Sequence, residues 1–337
     1  MPIPAFPPHV VPLHARHGSY SPRYGWLLKT YLALKENPHL FTSADAVVRL
    51  GVGKSMVASM RFWSAAFRLS NEVPDRPGAA RDVLPTDRAR WLLEDDGADP
   101  YLERDGSLWL LHWWLLSPPC MLPAWYYTFC MSPWTRLEPE QLLHGVRGAA
   151  VSSGWRPTSD GMIQRDIGCM LRMYTPVRPG REPQAVVENI FDRPFSALGL
   201  MSPDLEGAIR LSQQAGNSAP AAVLTYACLA YAARYQPDRP GQMVLSRLLH
   251  DDAGPGRVMR VEPRALRRAL EATALTHRAL GIIEDGSGQE VLTFSTPPLA
   301  LAWEVLDGLY GDVRQRLGVR PEREEGAGPT ATQPEAG

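Results

Sequence analysis

At 337 residues, 45% hydrophobic and 21% charged, the chain is long enough for two domains or three small ones and has the make-up of an ordinary folded protein. A net charge of −1 excludes a polycation that would coat nucleic acid with its whole surface. The longest apolar run, 108–116, is broken by His112 and is far too short to span a bilayer. The proline-rich start has no basic segment leading into an apolar one, so no secretory signal is expected and a cytoplasmic location follows.

Residues 1–20 carry Pro2, Pro4, Pro7, Pro8 and Pro12, which forbid a regular helix and predict a flexible lead-in. Tyr24, Leu27, Leu28, Tyr31 and Leu34 then recur at helical spacing, and Asn37-Pro38 ends that helix. Residues 43–68 read as two helices joined by the turn Leu50-Gly51-Val52-Gly53. Thr42 or Ser43 is expected to cap the first of them, with Asp45 completing a capping box. In the second, Met56, Met60, Trp63 and Phe67 form one face. Lys54, Ala58, Arg61 and Ala65, flanked by Ser55 and Phe62, form the other, small and basic enough to enter a major groove. Residues 69–73 and 81–84 around PDRPGAA predict a β-hairpin, the wing of a winged helix, with Arg76 and Arg81 near its tip. A helix through Glu94 follows.

The centre is aromatic: Trp109, Trp113, Trp114, Trp125, Tyr126, Tyr127, Phe129 and Trp134. Stacked aromatics bind single strands when cations are interleaved among them. Here almost none are, so a packed core is expected. Helices follow over 138–151 and 159–174, the second holding Arg165 and Arg172 seven residues apart on one face, which reads as an ordinary exposed face salted with Arg, with phosphate contact as the rival. Residues 177–184 read as a linker. A buried helix is expected over 220–235, further helices over 243–250 and 263–280, a hairpin around EDGSGQ, and a last helix over 298–317. Helices followed by a hairpin give the order of a second winged-helix unit. The expected fold is mainly α. It divides into a lead-in (1–20), a winged helix-turn-helix (21–100), an aromatic helical region (101–180), a helical domain with a hairpin (181–317) and a disordered tail (318–337).

Catalytic and metal chemistry is poorly nominated. GVGKS at 51–55 lacks the Walker pattern because Val48 stands where its first glycine belongs, and a helix precedes it where a strand is needed. Glu94, Asp95-Asp96 and Asp251-Asp252 read as helix-end acidity, with metal-dependent cleavage at Asp95 and Asp96 as a minor rival. Cys120, Cys130, Cys169 and Cys228 lie far apart and read as reduced buried thiols, and the histidines show no metal spacing. No cofactor and no metal is expected, and His112 reads as a hydrogen-bonded core residue. Residues 1–70 hold three Lys and five Arg against Glu36 and Asp45, an excess of six. Such an asymmetry reads equally as a nucleic-acid footprint or as a solvated face.

HGSYSPRYGWLLKTYLAL, FTSADAVVRLGVGKSMVASMRFW, DPYLERDGSLWLLHWWL, IQRDIGCMLRMY, FDRPFSALGLM and GPGRVMRVEPRALRRALE together resemble the bacterial domain-of-unknown-function family 4007, in order, over nearly the whole chain. The resemblance implies a protein of bacterial defence islands, often encoded beside a PAPS-reductase-like sulfur-transfer protein of DNA phosphorothioation systems. It supplies no enzymatic residues. Where members carry His-Glu-Thr-Phe, this chain has Gly18-Ser19-Tyr20-Ser21 after His17.

The reading is a non-catalytic binding module. Lys54, Ser55, Arg61 and Phe62 would face the groove of duplex DNA, Arg49 and Lys29 would touch phosphate, and Arg76 and Arg81 would extend from the wing. The rest would dock defence-system proteins. The alternative is a protein–protein adaptor that uses the same fold without DNA.

Overall fold

The computed structural model describes residues 3–73, 82–176, 193–204, 206 and 208–321. The linker expected at 177–184, the wing-tip Arg76 and Arg81, and most of the tail expected at 318–337 lie outside the described residues. Among the described residues the fold is mainly α, with three small sheets of two, three and three strands.

Helix α1 is Trp26–Glu36, α2 is Ala46–Leu50 and α3 is Lys54–Ala66. Gly51 takes φ 63° at the end of α2, a left-handed value that a Cβ would oppose, so the turn closes at this glycine. The expected capping box does not form. Leu40–Thr42 is a 3-10 turn, Thr42 Oγ1 donates back to the His39 carbonyl, and α2 starts only at Ala46. Strands β1 (Ser70–Val73) and β2 (Asp82–Pro85) pair antiparallel as the expected hairpin. Thr86 then caps α4 (Asp87–Leu93), its hydroxyl accepting from Ala89 N at 3.1 Å.

Helix α5 (Asp105–Leu116) is buried from Gly106 to Leu116, as a helix apolar on all sides must be. Helix α6 (Pro123–Tyr126) runs into a π turn over Tyr127–Met131. Trp109, Trp113, Trp114 and Trp125 are at most 1% exposed, so none of these four rings offers a face to a base. Each such side chain contributes roughly 1.5–3 kcal/mol by leaving water. His112 lies among them, one ring nitrogen facing the Tyr174 hydroxyl at 2.8 Å and the other the Val258 carbonyl at 2.9 Å.

Strand β3 (Arg136–Leu137), α7 (Pro139–Ser152) and α8 (Asp160–Tyr174) follow. Strands β4 (Met201–Pro203) and β5 (Ile209–Leu211) join β3 in a sheet of order β3-β5-β4. The last part begins with α9 (Ala221–Ala233), buried from Val223 onward. Strand β6 (Gly241–Val244), α10 (Leu245–His250), α11 (Pro255–Met259), α12 (Pro263–Ala274), β7 (Leu280–Glu284) and β8 (Glu290–Phe294) come next. Met243 and Val244 are strand, not the start of a helix, because they pair with Leu292 and Val291. Helices α13 (Pro298–Tyr310) and α14 (Val313–Leu317) close the fold, α13 packing along α9.

One core cluster runs from Phe6 to Val319, across the divisions expected near 100 and 180. The start of the chain is part of it, which corrects the flexible lead-in. Phe6 stacks on Trp155 at 4.8 Å, Val10 bridges to Cys120, and Ser152 Oγ donates to the Ile3 carbonyl. Proline blocks helix there, but it does not stop apolar side chains from docking. No helix among the described residues is long and apolar enough to cross a membrane.

Burial lowers the His112 pKa to about 4 from 6.5, with the Arg260 charge adding to it against the Val258 hydrogen bond. Burial and the charges of Arg234 and Arg68 lower His9 in the same way. A histidine depressed in the fold takes up its proton first in the unfolded chain. Its stabilising contribution is therefore complete above pH 6.5 and drains away as pH falls toward 4. His112 alone corresponds to roughly 3 kcal/mol over that window. Urea titrations should show this decline, and His112→Phe should flatten it while weakening the fold at neutral pH. An unchanged slope in the variant would refute the assignment.

Candidate nucleic-acid interface

Three layers of contact set the orientation of α3. Of the face that spacing predicted, Met60, Trp63 and Phe67 are buried and Met56 is half-buried, while Val57, Ser59 and Phe62 are buried as well. Ser59 Oγ donates to the His17 carbonyl at 2.9 Å, and Trp63 Nε1 donates to the Tyr20 carbonyl at 2.9 Å. Thus the segment 14–20 straps across the helix. What α3 leaves to solvent is a strip: Lys54, Ser55 and Ala58 exposed, Arg61 and Ala65 half-buried.

Phe62 does not belong to that strip. It is 8% exposed and meets the His17 ring edge to face at 6.0 Å. It lies nearly in line with Ser55, but two turns further on, where the strap covers the helix. Ser55 is exposed with its hydroxyl 3.3 Å from Tyr20 Oη. Arg61 is held to Glu72 of β1 at 2.6 Å and sits over the Phe41 ring at 5.7 Å. Arg49 is held to Asp45 at 2.7 Å and to Glu36 at 3.4 Å. Lys29 is exposed on α1, and Lys54 is exposed at the start of α3. The structure therefore brings Lys54, Ser55 and Arg61 onto one strip and leaves Arg49 and Arg61 already neutralised.

The strap is anchored by Asp166 of α8, a carboxylate 2% exposed. Its Oδ1 accepts from His17 Nε2 at 2.7 Å and from Ala15 N at 2.8 Å, and its Oδ2 accepts from His14 Nδ1 at 2.8 Å. Ser19 N donates to His17 Nδ1 at 3.1 Å, which leaves Nε2 as the protonated ring nitrogen. Burial works to raise the Asp166 pKa, but the hydrogen bonds from His14 and His17 outweigh it and hold the carboxyl below its ordinary range. Arg172 ties the same strap to α8 from the other end, donating to the Ser19 carbonyl at 2.9 Å. Sequence reasoning had no signal for this cluster, because His14 and Asp166 are 152 residues apart.

Asp95 and Asp96 are exposed just past the end of α4, whereas the other acidic candidates are occupied. Glu94 accepts from Tyr31 and Lys35, Asp251 from Arg247 and Tyr231, and Asp252 from Arg257. Among the described residues no group of three or more His, Cys, Asp or Glu side chains is placed to hold a metal ion. The four cysteines are buried and free, and burial pushes the Cys120 and Cys130 thiols up to about 12.

Residues 14–310 match the model of the family described as "Protein of unknown function (DUF4007)". Two solved structures are similar over nearly their full lengths. "Magnesium ion-bound SspB crystal structure" has a TM-score of 0.85 and 38% identity, covering 93% of this chain and 92% of that one. "SspB crystal structure" has a TM-score of 0.85 and 38% identity, covering 94% of each chain. No curated protein matches the chain.

Removing the Asp166 carboxylate leaves two buried imidazole N–H donors and the part-buried Ala15 N–H without that acceptor. Asp166→Ala should therefore cost roughly 3–5 kcal/mol in a denaturant titration. A loss below about 1 kcal/mol would show that the strap is held by its apolar contacts instead.

Proposed function

The chain belongs to the DUF4007 family, and from that premise we propose that it is a non-catalytic DNA-binding accessory protein of a phosphorothioation-linked anti-phage defence system. Residues 21–100 are read as a winged helix-turn-helix that docks on duplex DNA. The remainder is read as a helical platform for partner proteins, such as a PAPS-reductase-like sulfur-transfer protein. The unit from α9 to β8, with its sheet order β6-β8-β7, is read as a second winged helix.

One observation carries the reading. Helix α3 follows a tight turn at Gly51, precedes an antiparallel hairpin, and presents a strip of small and cationic residues while its apolar side is buried. A strip without bulk is what lets a helix sit deep in a major groove. Phe62 is dropped from the contact set. Lys54 and Ser55 take the central place, Lys29 remains a phosphate contact on α1, and Arg61 and Arg49 contribute only by exchanging Glu72, Asp45 and Glu36 for phosphate.

Fluorescence anisotropy with a labelled duplex tests this directly. Lys54→Ala should weaken binding by about 1–3 kcal/mol, and Arg61→Ala by less because its charge is already paired. Equal affinities for wild type and Lys54→Ala, with the same salt slope, would contradict the docking geometry. Titrating phosphorothioated beside unmodified duplex reads whether sulfur is distinguished.

A second reading rests on α2, where Val48 is 81% exposed and Val47 40%. Two valines on a short exposed helix suit a protein partner better than phosphate, as in an adaptor that uses the fold without DNA. Nuclease-treated lysate that still yields a partner to wild type, but not to Val47→Ser/Val48→Ser, would favour it.

A further inference from the structure

Arg49 and Arg61 of the helix-turn-helix are spent on carboxylates, but Lys54 at the start of α3 and a set of arginines beside it are not. Arg16, Arg165, Arg172 and Lys54 are all exposed. Among the described residues Arg16, Arg165 and Lys54 make no ion pair, and the bond recorded for Arg172 goes to a carbonyl, that of Ser19 at 2.9 Å. By contrast Arg147 holds Asp160 at 3.1 Å and Arg136 holds Glu138 at 2.8 Å.

These four lie together because the strap joins their elements. Lys54 adjoins Ser55, whose hydroxyl is 3.3 Å from Tyr20 Oη. Tyr20 follows Ser19, the acceptor for Arg172. Arg165 shares the face of Arg172, two turns toward the start of α8, roughly 10 Å along its axis. It adjoins Asp166, which accepts from the backbone N–H of Ala15, the neighbour of Arg16. The chain has no acidic residue before Glu36. Of the acids on α8, Asp160 is taken by Arg147 and Asp166 is buried under the strap. Even with Asp166 counted in full, these residues keep a local excess of three positive charges.

We propose that the strap and α8 form a phosphate-contacting shelf beside α3, with Arg16, Arg165 and Arg172 following the backbone of the same duplex that receives Lys54. The inference rests on the DNA-docking reading above. It moves the electrostatic footprint from the wing side of the helix-turn-helix to the side of the strap. Guanidinium groups at helical intervals on a rigid element suit phosphate oxygens, and contacts of this kind fix register without reading sequence.

Arg16→Gln/Arg165→Gln is the informative variant, because neither side chain holds the fold together. Arg172 is left in place because it anchors Ser19. Anisotropy with a fluorescein-labelled duplex should be followed from about 50 to 200 mM salt. The slope of log K against log salt should fall by about 1.8 in magnitude, roughly 0.9 per lost phosphate contact. The loss in affinity should be the same for unrelated duplex sequences, and Arg147→Gln should leave both unchanged. A wild-type slope in the double variant, with Lys54→Ala still weakening binding, overturns the shelf and spares the groove reading. Wild type that binds no duplex overturns both. A double variant that keeps its duplex affinity but loses binding to polyglutamate shows a surface for acidic protein and overturns the shelf.

Discussion

The Asp166 carboxylate is the constraint on which the front of the molecule depends. Three N–H groups of the strap converge on it, two from imidazole rings and one from the backbone, in a setting almost closed to water. Each hydrogen bond to a buried charge contributes about 1.5–3 kcal/mol, and leaving any of them unmade would cost at least as much. A segment with no regular secondary structure is thereby fixed as firmly as a helix. Pro7, Pro8 and Pro12, just before the strap, restrict the unfolded chain and lessen the entropy lost on ordering the segment that leads into it. The strap then passes this order on. The carbonyls of His17 and Tyr20 receive Ser59 and Trp63, so the direction in which Lys54 and Ala58 face is set from α8 by way of the strap.

Charge is distributed by the same economy of partners. A count of Lys and Arg over the first 70 residues overstates what α2 and α3 can offer a polyanion, since Arg49 and Arg61 face Asp45, Glu36 and Glu72. The cations of the strap and α8 left outside such pairs sit where the nearby acids of α8 are either paired, as Asp160 is with Arg147, or buried, as Asp166 is. Exposed ion pairs contribute little to stability, so Arg49 and Arg61 are tied by geometry more than by energy and can exchange partners readily.

Periodicity made much of the architecture legible. The spacing of Tyr24, Leu27, Leu28, Tyr31 and Leu34 and of Met56, Met60, Trp63 and Phe67, and the all-apolar run of α5, each correspond to a helix. Leu27, Tyr31, Leu34, Met60, Trp63 and Phe67 are buried, and Tyr24, Leu28 and Met56 are half-buried at the margin. Two-residue and three-residue strands were not legible, because β3, β4 and β5 exist only through pairing with partners distant in sequence. Met243 and Val244 failed for the same reason: their apolar character suits a helix equally well until β8 lies beside them. Phe62 failed because a helical wheel gives direction but not what covers it. His14, His17 and Asp166 were invisible individually, each an unremarkable polar residue until the fold brought them into contact.

The core also joins the two ends of the described chain. Trp91 of α4 donates its indole N–H to Asp307 of α13, 216 residues later, and packs edge to face on Trp303 and Tyr310. Helix α4 is the element that carries the hairpin back onto α1. During synthesis, then, α1 to α4 leave the ribosome with Trp91 uncovered, and it stays so until α13 has been made. Such late closure raises the contact order and slows folding. It also means that a truncated or stalled product would expose an aromatic surface for as long as it persisted, a species for chaperones and proteases to recognise.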